Sequence, residues 1–267
     1  MKSKGPELGS LSSRFFAYVQ LKKLDIVRTG EMAPVLDISA SQERDLFRRL
    51  SDSGWILRLK RGVYLVPPRI PAGGKYSPGM ALILQKLMVE EKGRYQICGP
   101  SAFNFYGLDE QIPSVTYLYN NRISGKRLIG SLAFQFIKVA DERLGAVNTV
   151  KTREVLDIIY SSKARTLMDA VYDWSRFNSL PRGYDWIKGE IKNEPVLLSR
   201  LIEVTAKYGN MATIRRIGYL LDTLIRNPRM MNRLQRQLST SSSLIPWIPG
   251  LSAKGSINRR WGIIVNE

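Results

Sequence analysis

The stretch Ser39-Ala-Ser-Gln-Glu-Arg-Asp-Leu-Phe-Arg-Arg-Leu50, with Trp55-Ile-Leu-Arg-Leu-Lys-Arg-Gly-Val-Tyr-Leu-Val66 close behind it, decides the fold of the N-terminal part of this chain. Ser39 and Gln42 stand at capping-box spacing, so each side chain can satisfy the other's free N–H at the start of a helix. At about 100° per residue, Leu46, Phe47 and Leu50 fall on one face, and Ser41, Arg44, Arg48 and Arg49 fall opposite. Gly54 can end the helix in a left-handed conformation. Two strand-like runs follow, joined by Lys60-Arg61-Gly62, a short turn with two cations at its tip.

Upstream, residues 12–24 have the spacing of an amphipathic helix that buries Phe15, Phe16, Val19 and Leu24. Thr29 is placed to cap a second, short helix ending near Leu36, and Asp37-Ile-Ser39 makes the tight turn into the third. Helix, turn, helix and basic-tipped hairpin, in that order, predict a winged helix-turn-helix that binds double-stranded DNA. Ser41, Gln42, Arg44, Arg48 and Arg49 are the expected major-groove residues. Arg58, Lys60 and Arg61 are the expected wing contacts, to phosphates or a minor groove. A charged helix face can also be merely solvated, and some winged helices bind protein or RNA instead.

Charge supports an anionic partner. The 267 residues carry 41 Lys and Arg against 23 Asp and Glu, a net +18, which points to nucleic acid or an anionic membrane surface. The excess lies at both ends: 13 basic and 7 acidic side chains over residues 1–70, 9 and 6 over 71–150, and 19 and 10 over 151–267. The longest uninterrupted apolar stretches, Phe15–Val19 and Met80–Leu84, fall far short of the roughly twenty residues a membrane span needs. The first residues do not lead into the apolar core of a signal peptide. With no histidine, His-dependent nucleophile activation and His-ligated zinc are excluded. One cysteine, Cys98, can form neither an internal disulfide nor a four-cysteine zinc site, which suits a reducing cytoplasm. These absences favour a binding protein over an enzyme, and no cofactor is expected.

The run from Val63 to Pro78 changes from β-branched to Pro- and Gly-rich, the signature of a linker. The expected organisation is a DNA-binding domain over residues 1–70, a linker over 71–78 and a larger domain over 79–267. In the latter, Tyr95–Cys98, Val115–Tyr119 and Phe134–Val139 read as strands. From Glu154 the pattern is mainly helical, closing with a strand at Trp261–Val265. Asn193-Glu-Pro195 and Asn227-Pro228 read as helix starts, and Ser239–Ser243 with Pro246 and Pro249 as a loop. The fold class is therefore α/β, or α+β: a winged helix followed by a mixed-sheet domain with a helical C-terminal part.

The order of Trp55–Leu65 and Gly99-Pro-Ser-Ala-Phe-Asn-Phe-Tyr-Gly-Leu-Asp-Glu-Gln-Ile-Pro113 resembles the bacterial AbiEi-type antitoxins. Downstream, Ala164-Arg-Thr-Leu-Met-Asp169 is similar to their Glu-Arg-Thr-Leu-Leu-Asp segment, with Ala164 where an acidic residue is usual. Gly209-Asn-Met-Ala-Thr-Ile-Arg-Arg-Ile-Gly-Tyr-Leu-Leu-Asp222 resembles their arginine helix and Arg259-Arg-Trp-Gly-Ile-Ile-Val-Asn266 their terminal strand. The resemblance implies an antitoxin of a type IV, abortive-infection toxin–antitoxin operon. Such a protein represses its own operon through the winged helix at an operator with inverted repeats. It opposes a nucleotidyltransferase-type toxin, directly or functionally, through the C-terminal region. The alternatives are a winged-helix repressor without a toxin and a nucleic-acid-processing enzyme.

Read from its own residues, the arginine helix places Ile214, Ile217, Leu221, Leu224 and Ile225 on one face and Arg215, Tyr219 and Arg226 on the other, with Arg216 at the edge. The next helix, over 228–238, adds Arg229, Arg233 and Arg236 around Met230, Met231 and Leu234. Arg215, Arg216, Tyr219, Arg226, Arg229 and Arg233 are thus the expected partner surface, although the same pattern fits plain solvated surface. Asp169 and Asp173, four apart on a helix, could share a Mg²⁺ ion, but a structural role is the simpler reading. Gly73-Gly-Lys75 is no phosphate loop, because Tyr76 replaces the hydroxyl ligand. Cys98 reads as a small core residue.

Overall fold

In a computed structural model of the chain, which describes residues 9–71, 74–225, 228–238 and 243–266, the capping box forms as the spacing requires. Ser39 Oγ accepts from the Gln42 amide at 3.2 Å, and Gln42 Oε1 accepts from the Ser39 amide at 2.8 Å. Two units divide the molecule: residues 1–92 with 126–134, and residues 93–125 with 135–267.

The first unit opens with α1 (Ser10–Leu21), which ends before Leu24 and buries Phe15, Phe16 and Val19. β1 (Ile26–Arg28), α2 (Ala33–Leu36) and α3 (Ala40–Asp52) follow. β2 (Leu57–Lys60) and β3 (Val63–Leu65) form the wing, with Gly62 at φ +74° in its turn. β1 joins the hairpin antiparallel to β3, giving the order β1-β3-β2 and the topology of a winged helix-turn-helix. The core is apolar and aromatic. Phe15 meets Phe16 and Phe47 edge-on, and Leu46, Leu50, Trp55 and Ile56 close around them. β1 was not foreseen, because three residues carry no periodicity. Nor does Thr29 cap α2: the N-cap position is Met32, with no side-chain cap of its own.

The boundary between the units falls after the helix α4 (Met80–Glu90) rather than at residues 71–78. Apolar positions Ala81, Ile83, Leu84, Leu87 and Met88 of α4 are buried. Its polar side is tied to the winged helix. Arg28 on β1 reaches Glu90 at 2.6 Å, and Lys86 pairs with Asp25. Burial of this kind outweighs what a Pro- and Gly-rich stretch suggests about chain continuity. Residues 72–73, within the expected linker, lie outside the described residues.

The second unit is built on a mixed sheet. Its strands are β4 (Tyr95–Ile97), β5 (Thr116–Asn120), β8 (Val147–Lys151) and β9 (Asp157–Ser161) with the end of β7 (Leu132–Lys138), in the order β7-β5-β4-β9-β8, while β6 (Gly125–Ile129), past its first residue, and the start of β7 fall in residues 126–134 of the first unit. β4 and β9 are parallel, and β8 returns antiparallel to β9. β9 replaces the start of the helical region expected from Glu154. The helices are α5 (Gly99–Phe105), α6 (Lys163–Tyr172), α7 (Trp174–Phe177), α8 (Arg182–Asn193), α9 (Val196–Tyr208), α10 (Met211–Ile225) and α11 (Pro228–Gln235). A small sheet of β10 (Ile245–Pro246), β11 (Ser256–Asn258) and β12 (Ile263–Val265) follows. Asn193 ends α8 instead of capping α9, whose N-cap position is Pro195.

α6 is the hub, with every residue from Ala164 to Val171 buried. Tyr184 stacks on Trp247 at 3.8 Å. Gly218 on α10 lies under Trp261, where an added Cβ would come within 2.1 Å of the indole. The indole N–H donates to Asp222 Oδ2 at 3.1 Å, so ring and helix interlock through both a close approach and a polar tie.

Candidate nucleic-acid interface

Between α3 and the wing lies an open cleft of about 620 Å³ lined by Thr29, Arg44, Arg48, Ser51, Asp52, Arg58, Arg61, Gly62 and Tyr64. Four guanidiniums therefore converge on it, two from the helix and two from the hairpin. α3 presents Arg44 and Arg48 because its other face carries Leu46, Phe47 and Leu50 into the core. The two walls meet at the base of the cleft, where the rings of Phe47 and Tyr64 pack 5.0 Å apart. Arg48 pairs with Asp45 at 3.2 Å, both side chains being about two-thirds exposed, so solvent screening leaves that contact weak and easily exchanged for a phosphate. Arg49 is exposed and donates to the Asp45 carbonyl at 3.3 Å. It does not line the cleft with Arg44 and Arg48.

Ser41 and Gln42, expected at the major groove, are exposed but already occupied. Gln42 completes the capping box, and Ser41 Oγ lies 2.8 Å from Ser39 Oγ.

Lys60 departs from the expectation. Register between β2 and β3 slips between Arg58 and Lys60, a bulge that leaves Leu59 without a partner on β3. Residues two apart on a regular strand share a face. The bulge breaks that rule and sends Lys60 away from Arg58 to the C-terminus of α4. There its ammonium donates to the Glu90 carbonyl at 3.0 Å and pairs with Glu91 at 3.3 Å. A cation at a helix C-terminus is well placed against the helix dipole. Lys60 is thus a structural tie, and Arg58 and Arg61 are the wing's cations in the cleft. Arg28 is tied to the same helix end, its pKa raised by its hydrogen bond to Glu90.

Sequence reasoning overlooked Glu43. It is fully buried, and its carboxylate accepts from the amides of Gly30 at 2.6 Å, Met32 at 2.7 Å and Ala33 at 3.0 Å. The signal was present: Glu43 stands three and four residues before Leu46 and Phe47, on the apolar side of an amphipathic helix, where a carboxylate has to find donors.

The expected partner surface on α10 is not an open cationic face. Arg215 and Arg216 are 4% and 6% exposed. Arg215 donates to the Ser243 carbonyl at 2.7 Å, and Arg216 to the Pro246 carbonyl at 3.2 and 3.3 Å. Burial lowers the pKa of Arg216. The chain following α11 covers what the helical wheel presents as an outer face. Tyr219 is half-buried, edge-on to Trp247 at 4.9 Å. Arg229 and Arg233 are exposed, the latter 3.4 Å from Glu203. Arg226 lies outside the described residues.

The pair of carboxylates considered for Mg²⁺ is also engaged. Asp169 is gripped by fully buried Arg165 at 2.9 and 3.0 Å and by Arg143 at 3.3 Å, while Asp173 accepts from the Tyr119 hydroxyl. Burial pushes the Asp169 carboxyl up, against the pull of both guanidiniums. Among the described residues no group of three or more acidic or cysteine side chains is placed to hold a metal ion. Cys98 is buried, and desolvation raises its pKa well above the usual thiol range. Among the described residues no helix is long and apolar enough to cross a membrane.

With this geometry in hand, comparison with known proteins locates one specific similarity. Residues 17–67, which hold the cleft, match the family described as "Transcriptional regulator, AbiEi antitoxin". No curated protein matches the chain in sequence. The crystal structure of the RV2827C protein from Mycobacterium tuberculosis is similar in fold, with a TM-score of 0.57 and 15% identity over 98% of this chain and 94% of that one.

Proposed function

We propose, from the match of residues 17–67 to an AbiEi-type regulator, that this chain is a DNA-binding antitoxin that represses its own toxin–antitoxin operon and opposes a nucleotidyltransferase-type toxin. The observation that carries the reading is the cleft, in which Arg44 and Arg48 of α3 face Arg58 and Arg61 of the wing within the matched region. A helix in the major groove supplies base-edge contacts, and guanidinium forks suit guanine in particular. A wing beside it supplies phosphate or minor-groove contacts. DNA binding belongs to the first unit, and opposition to the toxin falls to the second. There Arg229 and Arg233 keep exposed cations, while Arg215 and Arg216 serve the unit's own packing.

Footprinting on the DNA upstream of its gene tests the reading directly. Protection of paired half-sites, with lower transcription from that promoter when the protein is supplied, is the expected result. Absence of any protected site overturns it. Co-expression with the neighbouring gene product tests the antitoxin half: growth restored by the full chain supports it, and toxicity left unchanged reduces the protein to a repressor alone.

A further inference from the structure

Glu43 is a carboxylate in the core of a DNA-binding unit with no cationic side chain paired to it among the described residues. An ionised carboxylate is acceptor-only, and its burial is tolerated when both of its oxygens meet donors. Here the donors are backbone. Oε1 takes the Met32 and Ala33 amides, which stand at the start of α2 and have no capping side chain of their own, and Oε2 takes the Gly30 amide. A side chain of α3 therefore caps α2 from a distance.

Its third contact reaches further. Gly30 follows Thr29, whose amide donates to the Gly62 carbonyl in the wing turn at 2.9 Å. Glu43 to Gly30, Thr29 to Gly62 is thus a chain of polar contacts running from the helix that forms one wall of the cleft to the hairpin that forms the other. Arg44, the next residue along α3, is carried by the same backbone. Apolar contacts alone would hold α3 against the core but tolerate sliding, whereas three short directional bonds do not.

We infer that Glu43 is the positioning residue of the interface, setting the span between the α3 arginines and the wing arginines and so the preference for one DNA sequence over others. The inference rests on the DNA-binding reading above but makes a structural claim of its own. Glu43→Gln keeps the shape of the side chain, removes one acceptor and points an NH₂ group at backbone donors. It also removes a negative charge, so attraction to DNA of any sequence cannot weaken on electrostatic grounds.

Two measurements on the full-length protein decide it. First, affinity is measured for a duplex selected from a random pool by the parent protein and for unselected duplex. In Glu43→Gln the ratio of the two is expected to fall by about tenfold, with unselected-duplex affinity unchanged or tighter. A ratio unchanged from that of the parent, whether both affinities stay the same or fall in proportion in folded protein, overturns the assignment. Second, spin labels on cysteines introduced at Ser51 and Arg61 report the width of the cleft. One narrow distance is expected in the parent background and a broadened one with Glu43→Gln; identical distributions overturn the inference whatever the DNA result. If the parent selects no duplex, the DNA reading fails while the distance measurement still judges Glu43. Should Glu43→Gln not fold, Glu43→Asp, which keeps the charge and shortens the reach, serves in both measurements.

Discussion

In the first unit Arg44, Arg48, Arg58 and Arg61 stand around an open cleft with their guanidiniums exposed, whereas in the second Arg165, Arg215 and Arg216 are buried with theirs on backbone carbonyls or a carboxylate. Arg44 and Arg48 of α3 and Arg215 and Arg216 of α10 come from segments that read alike on a helical wheel, arginines opposite an apolar stripe. What separates these two pairs is what comes next in the chain. After α3 the wing folds beside the helix and leaves its charged face open, while after α11 the chain returns over α10 and supplies carbonyls to its arginines. An arginine on the polar side of a helix is therefore a surface residue only if nothing later is laid across it.

The contrast breaks most readily at Arg165. Truncating one partner of a buried ion pair leaves the other charge stranded, at a cost of about 3–5 kcal/mol. Arg165→Ala should therefore lower the urea midpoint of the second unit sharply while leaving DNA affinity intact. A variant as stable as the parent would show that the two sets of arginines are not different in kind. The double variant Arg44→Ala with Arg58→Ala should do the reverse. Each loss is worth about 1–3 kcal/mol of binding if the group reads a base, measured by electrophoretic shift. At exposed positions stability should stay within about 0.5 kcal/mol.

Arg216→Ala comes next. It leaves the Pro246 carbonyl without this donor and should cost about 1–3 kcal/mol of stability in a chemical melt, with no change on DNA. Any fall in DNA affinity would return α10 to the interface. A salt titration sharpens the other side: the four cleft guanidiniums can neutralise at most four phosphates, so log affinity should fall against log salt with a slope no steeper than roughly −3.6. A slope twice as steep would mean that cations beyond the cleft take part. The smallest effect belongs to Lys60. Held by Glu90 and Glu91 in a partly screened contact, it should change stability by less than about 1 kcal/mol when replaced by Ala. Its loss should leave the salt slope as it was.

Much of the first unit was legible because its signals are local. The Ser39–Gln42 capping box, the apolar stripe of α3 and the Gly62 turn each lie within a few residues and emerge where they were expected. β1 was not legible, since three residues gain strand character only by pairing with β3. Lys60 was misplaced because a one-residue bulge reverses a strand's faces and leaves no mark in composition. α4 was assigned across a boundary drawn from prolines and glycines, whereas ion pairs from Asp25, Arg28 and Lys60 decide where it belongs. The second unit was harder for the same reason throughout. Arg215 and Arg216 depend on carbonyls about thirty residues further on, a separation at which wheel projections carry no information.

The fit of Trp261 over Gly218 has a genetic consequence. A stop codon shortly before Trp261 removes the ring that fills the space above a bare turn of α10, together with β12, and so strikes the core of the second unit. Every residue of the cleft has been translated by then. Such an allele should still occupy its DNA sites while failing in whatever the second unit does. In a cell carrying both alleles it would compete with the intact product for those sites and behave as dominant, whereas missense changes at Arg44 or Arg58 would behave as recessive.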